Sequence, residues 1–356
     1  MGDKPSIAVV GYRHGWKFVD SLSLKSDFVG GKLAAICGRS LPQNKPANCP
    51  GVPIYSDYKK MMDELKPDGI VAAVPNDIHY EITYEAAKRG IAVLLEKPIA
   101  GTLEDAQKIV DCVSTTNIPF MVGHHRRFSA KLNMAKEIIG SGRLGRVVGV
   151  NVMWMSRKPN EYFNVEWRVT EKVGGPLLIN SIHDIDDLRY TIGEIEAVQA
   201  FIGNMIRGLD VEDAGVAIIK FKNGALGSYI FSDGTPSMHF YEACAQEDPF
   251  FHPVEEDCYF FFGDKAQLSF PTMKITGYNE KSGGSDWTRP FSVENIPAPR
   301  FNPIDGETKH FCEMIKDSDV KSRCTASDAT ITLKVIEAIR LSTKTGRTVH
   351  IDEIKC

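Results

Sequence analysis

The chain has 356 residues, 43% hydrophobic and 25% charged, with a formal net charge of −4. That length suits two domains, and the balance of apolar and charged residues excludes a disordered polymer. The slight negative charge leaves no basic footprint for nucleic acid, and no apolar run reaches the roughly 18–20 residues of a membrane span, so neither partner is expected.

The first apolar run, residues 6–10, breaks at Gly11-Tyr12-Arg13-His14-Gly15, after which Trp16, Phe18, Val19 and Leu22 recur at helical spacing. A strand, a glycine turn and a helix open a Rossmann unit, where free N–H groups at the helix N-terminus receive a pyrophosphate. The G-x-G-x-x-G fingerprint is only partly met. Gly11 fits its first position, Arg13 and Trp16 replace the other two glycines, and Gly15 sits one place early. These residues alone fit a nucleotide turn or an ordinary strand–helix turn; Gly11, Arg13, His14 and Gly15 are the candidate cofactor contacts. A second strand, residues 32–37, leads to Gly38-Arg39-Ser40. No acid stands there to bind a ribose 2′-hydroxyl, whereas Arg39 and Ser40 suit a 2′-phosphate, so NADP(H) is expected over NAD(H). The other reading of Arg39 is a solvated loop cation.

Helices around 56–65, 80–89 and 103–114 alternate with strands at 69–74, 91–95 and 119–122, the pattern of a doubly wound parallel sheet. Ligands bind at the C-terminal ends of such strands. Pro75, Asn76 and His79 follow one strand, and Glu96-Lys97-Pro98 the next. Pro75, Asn76, His79, Glu96 and Lys97 are assigned to the cofactor. After the last strand come His124 and Arg127, assigned to the substrate. Pro98 steers Lys97 away from helical angles and can carry a cis bond. Read by itself, this segment favours a strand ending in a charged turn.

From residue 146 the texture changes to long alternating runs at 146–155, 196–202, 211–221 and 225–232, with shorter ones at 257–263 and 266–270. A mostly antiparallel sheet is expected, with sequence-adjacent strands paired. The division is then an α/β domain over 1–123 and an α+β domain over 124–356. Residues 278–303 read as a long surface loop and 326–343 as a helix. Between the halves, Gly174-Gly175-Pro176 introduces a helical pattern. Leu178, Ile179, Ile182, Ile185 and Leu188 form its apolar face, and Asn180, His183 and Asp187 share the opposite stripe. Eight scattered cysteines without a C-x-x-C pair argue against a metal site or disulfide framework and suit a reducing cytoplasm. The absence of a charged-then-apolar leader argues against secretion.

The opening turn, Glu96-Lys97-Pro98, the block from Gly123 to Phe128, Trp167-Arg168, and Gly174-Gly175 through His183 to Asp186 fall in an order that resembles the Gfo/Idh/MocA oxidoreductases. The resemblance covers almost the whole chain. It implies a Rossmann domain followed by an α+β domain whose open sheet makes dimers or tetramers. It also implies NAD(P)-dependent oxidation or reduction of sugars, polyols and related small carbonyl compounds. The family's catalytic lysine falls on Lys97 and its catalytic histidine on His183. His183 is then the expected proton acceptor and Lys97 the stabiliser of the developing alkoxide, with the roles open to exchange. Trp167, Arg168, Asn180 and Asp187 are candidate substrate contacts, with Tyr162 a possible wall. Many members carry an aspartate four residues before the histidine and a glycine two before; here those places hold Ile179 and Ser181. That departure keeps a second reading in view: a catalytically inactive NADP-binding sensor of the same fold.

Overall fold

The computed structural model describes residues 3–38, 49, 51–170, 173–278 and 286–356. Arg39 and Ser40 lie outside them. Two compact units emerge, one of residues 1–128 with 303–333 and 356, the other of residues 129–302 with 334–355. The first unit therefore extends beyond the 1–123 segment and regains chain after residue 302.

In the first unit, β1 (Ser6–Val10), β2 (Lys32–Cys37), β3 (Ile54–Tyr55), β4 (Gly69–Ala72), β5 (Ala92–Glu96) and β6 (Phe120–Gly123) form one parallel sheet in the order β3-β2-β1-β4-β5-β6. Strands β4, β5 and β6 are buried throughout, as parallel strands covered on both faces must be. Between them run α1 (Tyr12–Leu24), α2 (Ser26–Val29), α3 (Tyr58–Leu65), α4 (His79–Ala87) and α5 (Leu103–Thr116). Local chemistry sets several boundaries. Asp57 caps α3 by accepting from the N–H groups of Lys59 and Lys60. Thr102 caps α5, with Glu104 and Asp105 in its first turn, where carboxylates complement the helix dipole.

A late helix, α9 (Pro303–Lys316), returns to this unit, where Ile304, Phe311, Cys312 and Met314 join Ile7, Val9, Phe18 and Leu22 in one core. Gly69 makes room for it: a Cβ there would stand 2.8 Å from Ile315 Cδ1 and 3.0 Å from Phe311 Cζ.

The second unit holds α6 (Ala130–Gly140), β7 (Val147–Met155), α7 (Ile182–Thr191), β8 (Ile195–Gly203), β9 (Ala214–Phe221), β10 (Leu226–Ser232) and α8 (Tyr241–Ala245). Then come β11 (Tyr259–Gly263), β12 (Ala266–Phe270), β13 (Lys274–Tyr278), β14 (Phe291–Asn295) and β15 (Val349–His350). α10 (Ala326–Thr345) precedes β15. The nine strands follow the order β14-β13-β12-β11-β7-β10-β9-β8-β15. Neighbours in sequence do pair from β8 to β10 and from β11 to β14, all antiparallel. The exceptions are β7, which inserts between β11 and β10 and runs parallel to β10, and β15, which pairs with β8.

Two other expectations change. The stretch 278–303 contains strand β14, all five residues of which are exposed; its ladder pairing with β13 defines it without a buried face to give an alternating pattern. The expected two-sided helix around His183 is instead buried from Ile182 to Leu188. It opens with a π turn over Leu177–Ser181. That turn holds about one residue more than an α-turn, which shifts the phase of everything before it by about 100°. Spacing of three and four across residue 181 therefore does not put Asn180 on one stripe with His183 and Asp187.

Candidate functional site

In the strand order of the first unit, the reversal point lies between β1 and β4, and the backbone there is drawn tight. Gly11 donates to Cys37 O at 2.9 Å and Ala73 donates to Val10 O at 2.7 Å. Gly11 has φ 96°, and a Cβ on it would stand 1.9 Å from Ala73 O. Only glycine fits. Gly15 is buried, and a Cβ on it would press to 2.8 Å on Val9 Cγ1. It lets α1 lie close on β1, the task the third fingerprint glycine performs, from one position earlier. α1 begins immediately after Gly11 with no side-chain cap and no acid in its first turn, while Arg13 and His14 are exposed. Open N–H groups at the positive end of a 13-residue helix, with two basic side chains, fit a pyrophosphate.

The neighbouring tips carry the other first-unit candidates. Pro75 and Asn76 are half-buried beyond β4. His79 is fully buried; its Nδ1 lies 3.0 Å from Pro98 O and 3.2 Å from Ile99 O, and its Nε2 3.0 Å from Val74 O. Burial pushes its pKa down. The ring thus ties the end of β4 to the segment that carries Lys97. The Lys97–Pro98 peptide is cis, and the Lys97 side chain is half-buried.

Glu96 pairs across the ladder with Gly123, and its Oε1 lies 3.2 Å from His14 Nε2. Burial opposes its charge, but the facing His14 imidazole and Lys97 outweigh that and hold the carboxyl below the ordinary range. His125 is driven the other way, well below the usual imidazole value, first by burial.

Behind Gly123 stands Glu307 of α9, which the sequence did not point to. A Cβ on Gly123 would be 3.3 Å from Glu96 Cα and 3.5 Å from Glu307 Oε1. Glu307 is fully buried, and neither of its oxygens has a hydrogen-bond partner among the described residues. Burial, then the charge of Glu96, push its pKa well above the ordinary value. Between those two values the folded protein keeps a proton that the unfolded chain releases, so stability falls as pH rises across the window, by up to about 1.4 kcal/mol per pH unit. Glu307→Gln keeps the shape without the titration. Its melting temperature should gain on that of the wild type as pH is raised from mildly acidic to mildly alkaline; parallel curves would exclude the effect.

His124 and Arg127 are buried. Arg127 Nη1 donates to Arg323 O at 2.7 Å and pairs with Asp328 at 2.5 Å, so its guanidinium fastens the chain after β6 to the start of α10 and the stretch before it.

In the second unit the π turn and α7 carry the remaining candidates. Gly174 and Gly175 lead into them because nothing larger fits. A Cβ on Gly174 would stand 2.3 Å from Arg168 O, and one on Gly175, at φ 81°, 2.4 Å from Glu212 Oε1. Glu212 Oε1 accepts from Leu177 N–H at 2.8 Å, and burial raises the pKa of that carboxyl. His183 is 5% exposed. Its helix is held on the sheet by tyrosines that sequence reading missed. Tyr229 of β10 donates to Asp184 Oδ2 at 2.8 Å and lies 2.6 Å from Ser181 Oγ. Tyr259 of β11 reaches Asp184 Oδ1 and, at 2.9 Å, Asp187 Oδ2. The Asp187 carboxylate is therefore turned into the sheet.

Asn180 Oδ1 accepts from Lys158 Nζ at 2.6 Å. That lysine lies just beyond the end of β7. Trp167 and Arg168 are half-buried, and the Arg168 guanidinium lies 4.0 Å from the Tyr162 ring centre.

These features have counterparts in known proteins. Residues 6–124 match the Gfo/Idh/MocA oxidoreductase family's NAD-binding Rossmann domain, and residues 132–268 match that family's C-terminal domain. Levoglucosan dehydrogenase of Pseudarthrobacter phenanthrenivorans is 31% identical over 201 residues, 49% of this chain and 51% of the relative. Myo-inositol 2-dehydrogenase of Thermotoga maritima is 26% identical over 181 residues, 49% of this chain and 52% of the relative. The chain thus spans about half the length of the curated relatives it matches. Among solved structures, a putative NADPH-dependent oxidoreductase from Desulfitobacterium hafniense superposes with a TM-score of 0.80 at 19% identity, covering 99% of each chain. Scyllo-inositol dehydrogenase from Lactobacillus casei, solved with NAD(H) and scyllo-inositol, gives 0.73 at 19% identity over 98% of this chain and 99% of its own. At those identities the likeness speaks for the fold. With its two family domains matched in order and the parallel and mixed sheets in place, the chain belongs to the Gfo/Idh/MocA oxidoreductase family.

Proposed function

We propose that this protein is a nicotinamide-dinucleotide-dependent dehydrogenase or reductase that acts on a secondary alcohol or carbonyl of a sugar, polyol or related small molecule. The observation that carries this reading is the glycine-backed N-terminus of α1 at the reversal point of the parallel sheet, with Lys97 at a nearby strand tip. Gly11, Arg13, His14 and Gly15 would hold the pyrophosphate, and Pro75, Asn76 and Glu96 would line the cofactor's course. The bound cofactor supplies or accepts the hydride. Lys97 stabilises charge developing on the reacting oxygen, and His183 exchanges its proton, as imidazoles do near neutral pH. NADP(H) is proposed over NAD(H) on the residue types Arg39 and Ser40. The eight free cysteines accord with a cytoplasmic setting.

Titration of NADPH and NADH by fluorescence, then absorbance at ~340 nm across a sugar and polyol panel, tests the reading. Turnover on a polyhydroxylated substrate is the expected result. Tight cofactor binding with no turnover would favour the sensor, to which Ile179 in place of an acid points.

A homodimer or homotetramer through the second sheet is proposed on its outer face. There Phe201, Val216 and Ile230 face one another across β8, β9 and β10, flanked by Ile218 and Leu226, and all five are exposed. A patch of that kind marks an interaction surface. Ile218→Lys should shift the mass measured by light scattering toward that of one chain; an unchanged mass would move the interface elsewhere.

A further inference from the structure

Around Tyr162 and Phe163 in the second unit, the described residues include three basic side chains, Lys158, Arg168 and Arg207. Lys158 Nζ lies 4.5 Å from the Tyr162 ring centre and the Arg168 guanidinium 4.0 Å from it. Asp233 is 3.3 Å from Lys158 Nζ, but the same carboxylate also pairs with Arg207, whose guanidinium covers Phe163 at 4.1 Å. Arg168 has no carboxylate partner among the described residues. Its Nη1 donates to Tyr162 O at 2.9 Å, while its Nε, shielded from solvent, has no acceptor among the described residues. Nε and Nη2 form the planar fork that binds a carboxylate or phosphate in bidentate fashion, and an N–H left unpaired out of water is costly.

Position adds to charge. The Arg168 carbonyl packs on Gly174, which leads into the π turn, and Lys158 holds Asn180, three residues before His183. The cations therefore sit beside the stretch that carries the proposed proton-exchanging histidine.

We propose that Lys158 and Arg168, gathered on the Tyr162 ring, recognise an oxyanion carried by the substrate, so that the preferred substrate is an acidic sugar or polyol derivative and not a neutral one. This rests on the reading of the second unit as the substrate side. The specificity lies in a difference: a neutral substrate leaves the Arg168 fork unfilled, while an anionic one fills it.

The test uses the full chain saturated with oxidised cofactor. Calorimetric titration compares D-glucuronate, D-gluconate and D-glucose 6-phosphate with D-glucose and myo-inositol at millimolar concentrations. At least one anionic probe should bind about tenfold or more tighter than its neutral counterpart. Preference for the sugar acids would identify the oxyanion as a carboxylate, preference for the ester as a phosphate. Lys158→Met and Arg168→Gln should each collapse the ratio between anionic and neutral ligands. Arg168→Lys, which keeps the charge but loses the fork, should restore part of it. Cofactor titration and thermal unfolding of each variant identify any that misfold. Absence of an anionic preference in the wild type, including no binding of any anionic probe, overturns the proposal, as does a preference that survives both substitutions. Turnover at ~340 nm, followed in parallel, separates the two readings. Selective binding of an anion without turnover would retire the dehydrogenase and keep the anion site, whereas turnover with neutral selectivity would do the reverse.

Discussion

Lys97→Ala should reduce turnover by about 10²–10³, the loss that follows removal of one preorganised donor to a developing oxyanion. Cofactor affinity should stay close to that of the wild type. The proposed pyrophosphate contacts lie at Gly11 to Gly15, and the main chain around residue 97 is fastened independently of its side chain. His79 holds the carbonyls of Pro98 and Ile99, and the Lys97 N–H donates to Glu96 Oε2 at 3.2 Å. Single-turnover absorbance with enzyme in excess, paired with NADPH titration, separates chemistry from binding. Near-normal turnover would remove Lys97 from the reaction. Loss of cofactor binding in step with turnover would instead make it a cofactor contact.

Gly11→Ala should act on affinity and stability together. Two penalties coincide at this position. The backbone stands at φ 96°, where a side chain is strained, and the new Cβ would meet the Ala73 carbonyl at 1.9 Å, far inside contact distance. Strain of this kind and overpacking each cost about 1–3 kcal/mol. The obstacle is main chain of β4's extension and cannot rotate away, so the turn itself must shift, carrying the first N–H groups of α1 with it. The expected outcome is a lower melting temperature with cofactor affinity weakened at least about tenfold. Gly90→Ala is the control: also at positive φ (68°), with nothing within 4 Å of an added Cβ, it should cost only the backbone strain and leave affinity alone. Equal effects at the two positions would show that strain alone, and not the close approach, makes Gly11 necessary.

The first half of the chain was readable because buried parallel strands must be apolar along their whole length. The runs ending at Val10, Val74, Leu95 and Val122 announce themselves, and their polar tips follow from the rule that ligands gather there. Reading became harder where pairing or phase comes from elsewhere. Strand β14 owes its identity to the ladder with β13 and has no core side to show in sequence. The π turn before His183 puts Asn180 out of phase with Asp187, so a pattern consistent with one stripe resolves into separate contacts, Asn180 with Lys158 and Asp187 with Tyr259. Glu307 was invisible for another reason: it is 184 positions from Gly123 in sequence, and no local signal connects a helix that distant with a strand tip. The supports of the candidate site were thus the part that sequence could not show.

The return of α9 to the first unit bears on the order in which the protein can assemble during synthesis. Residues 1–128 emerge from the ribosome early, yet the core that should cover Ile7, Val9 and Phe18 lacks Ile304, Phe311 and Met314 until more than 170 further residues have been made. Over that interval the second unit's central strands, β7 to β12, are already complete. The first unit therefore closes only after those strands are made, and a fragment ending at residue 128 would keep an apolar gap where α9 belongs. For expression of a separate nucleotide-binding module, residues 1–128 would have to be joined by a linker to 303–333.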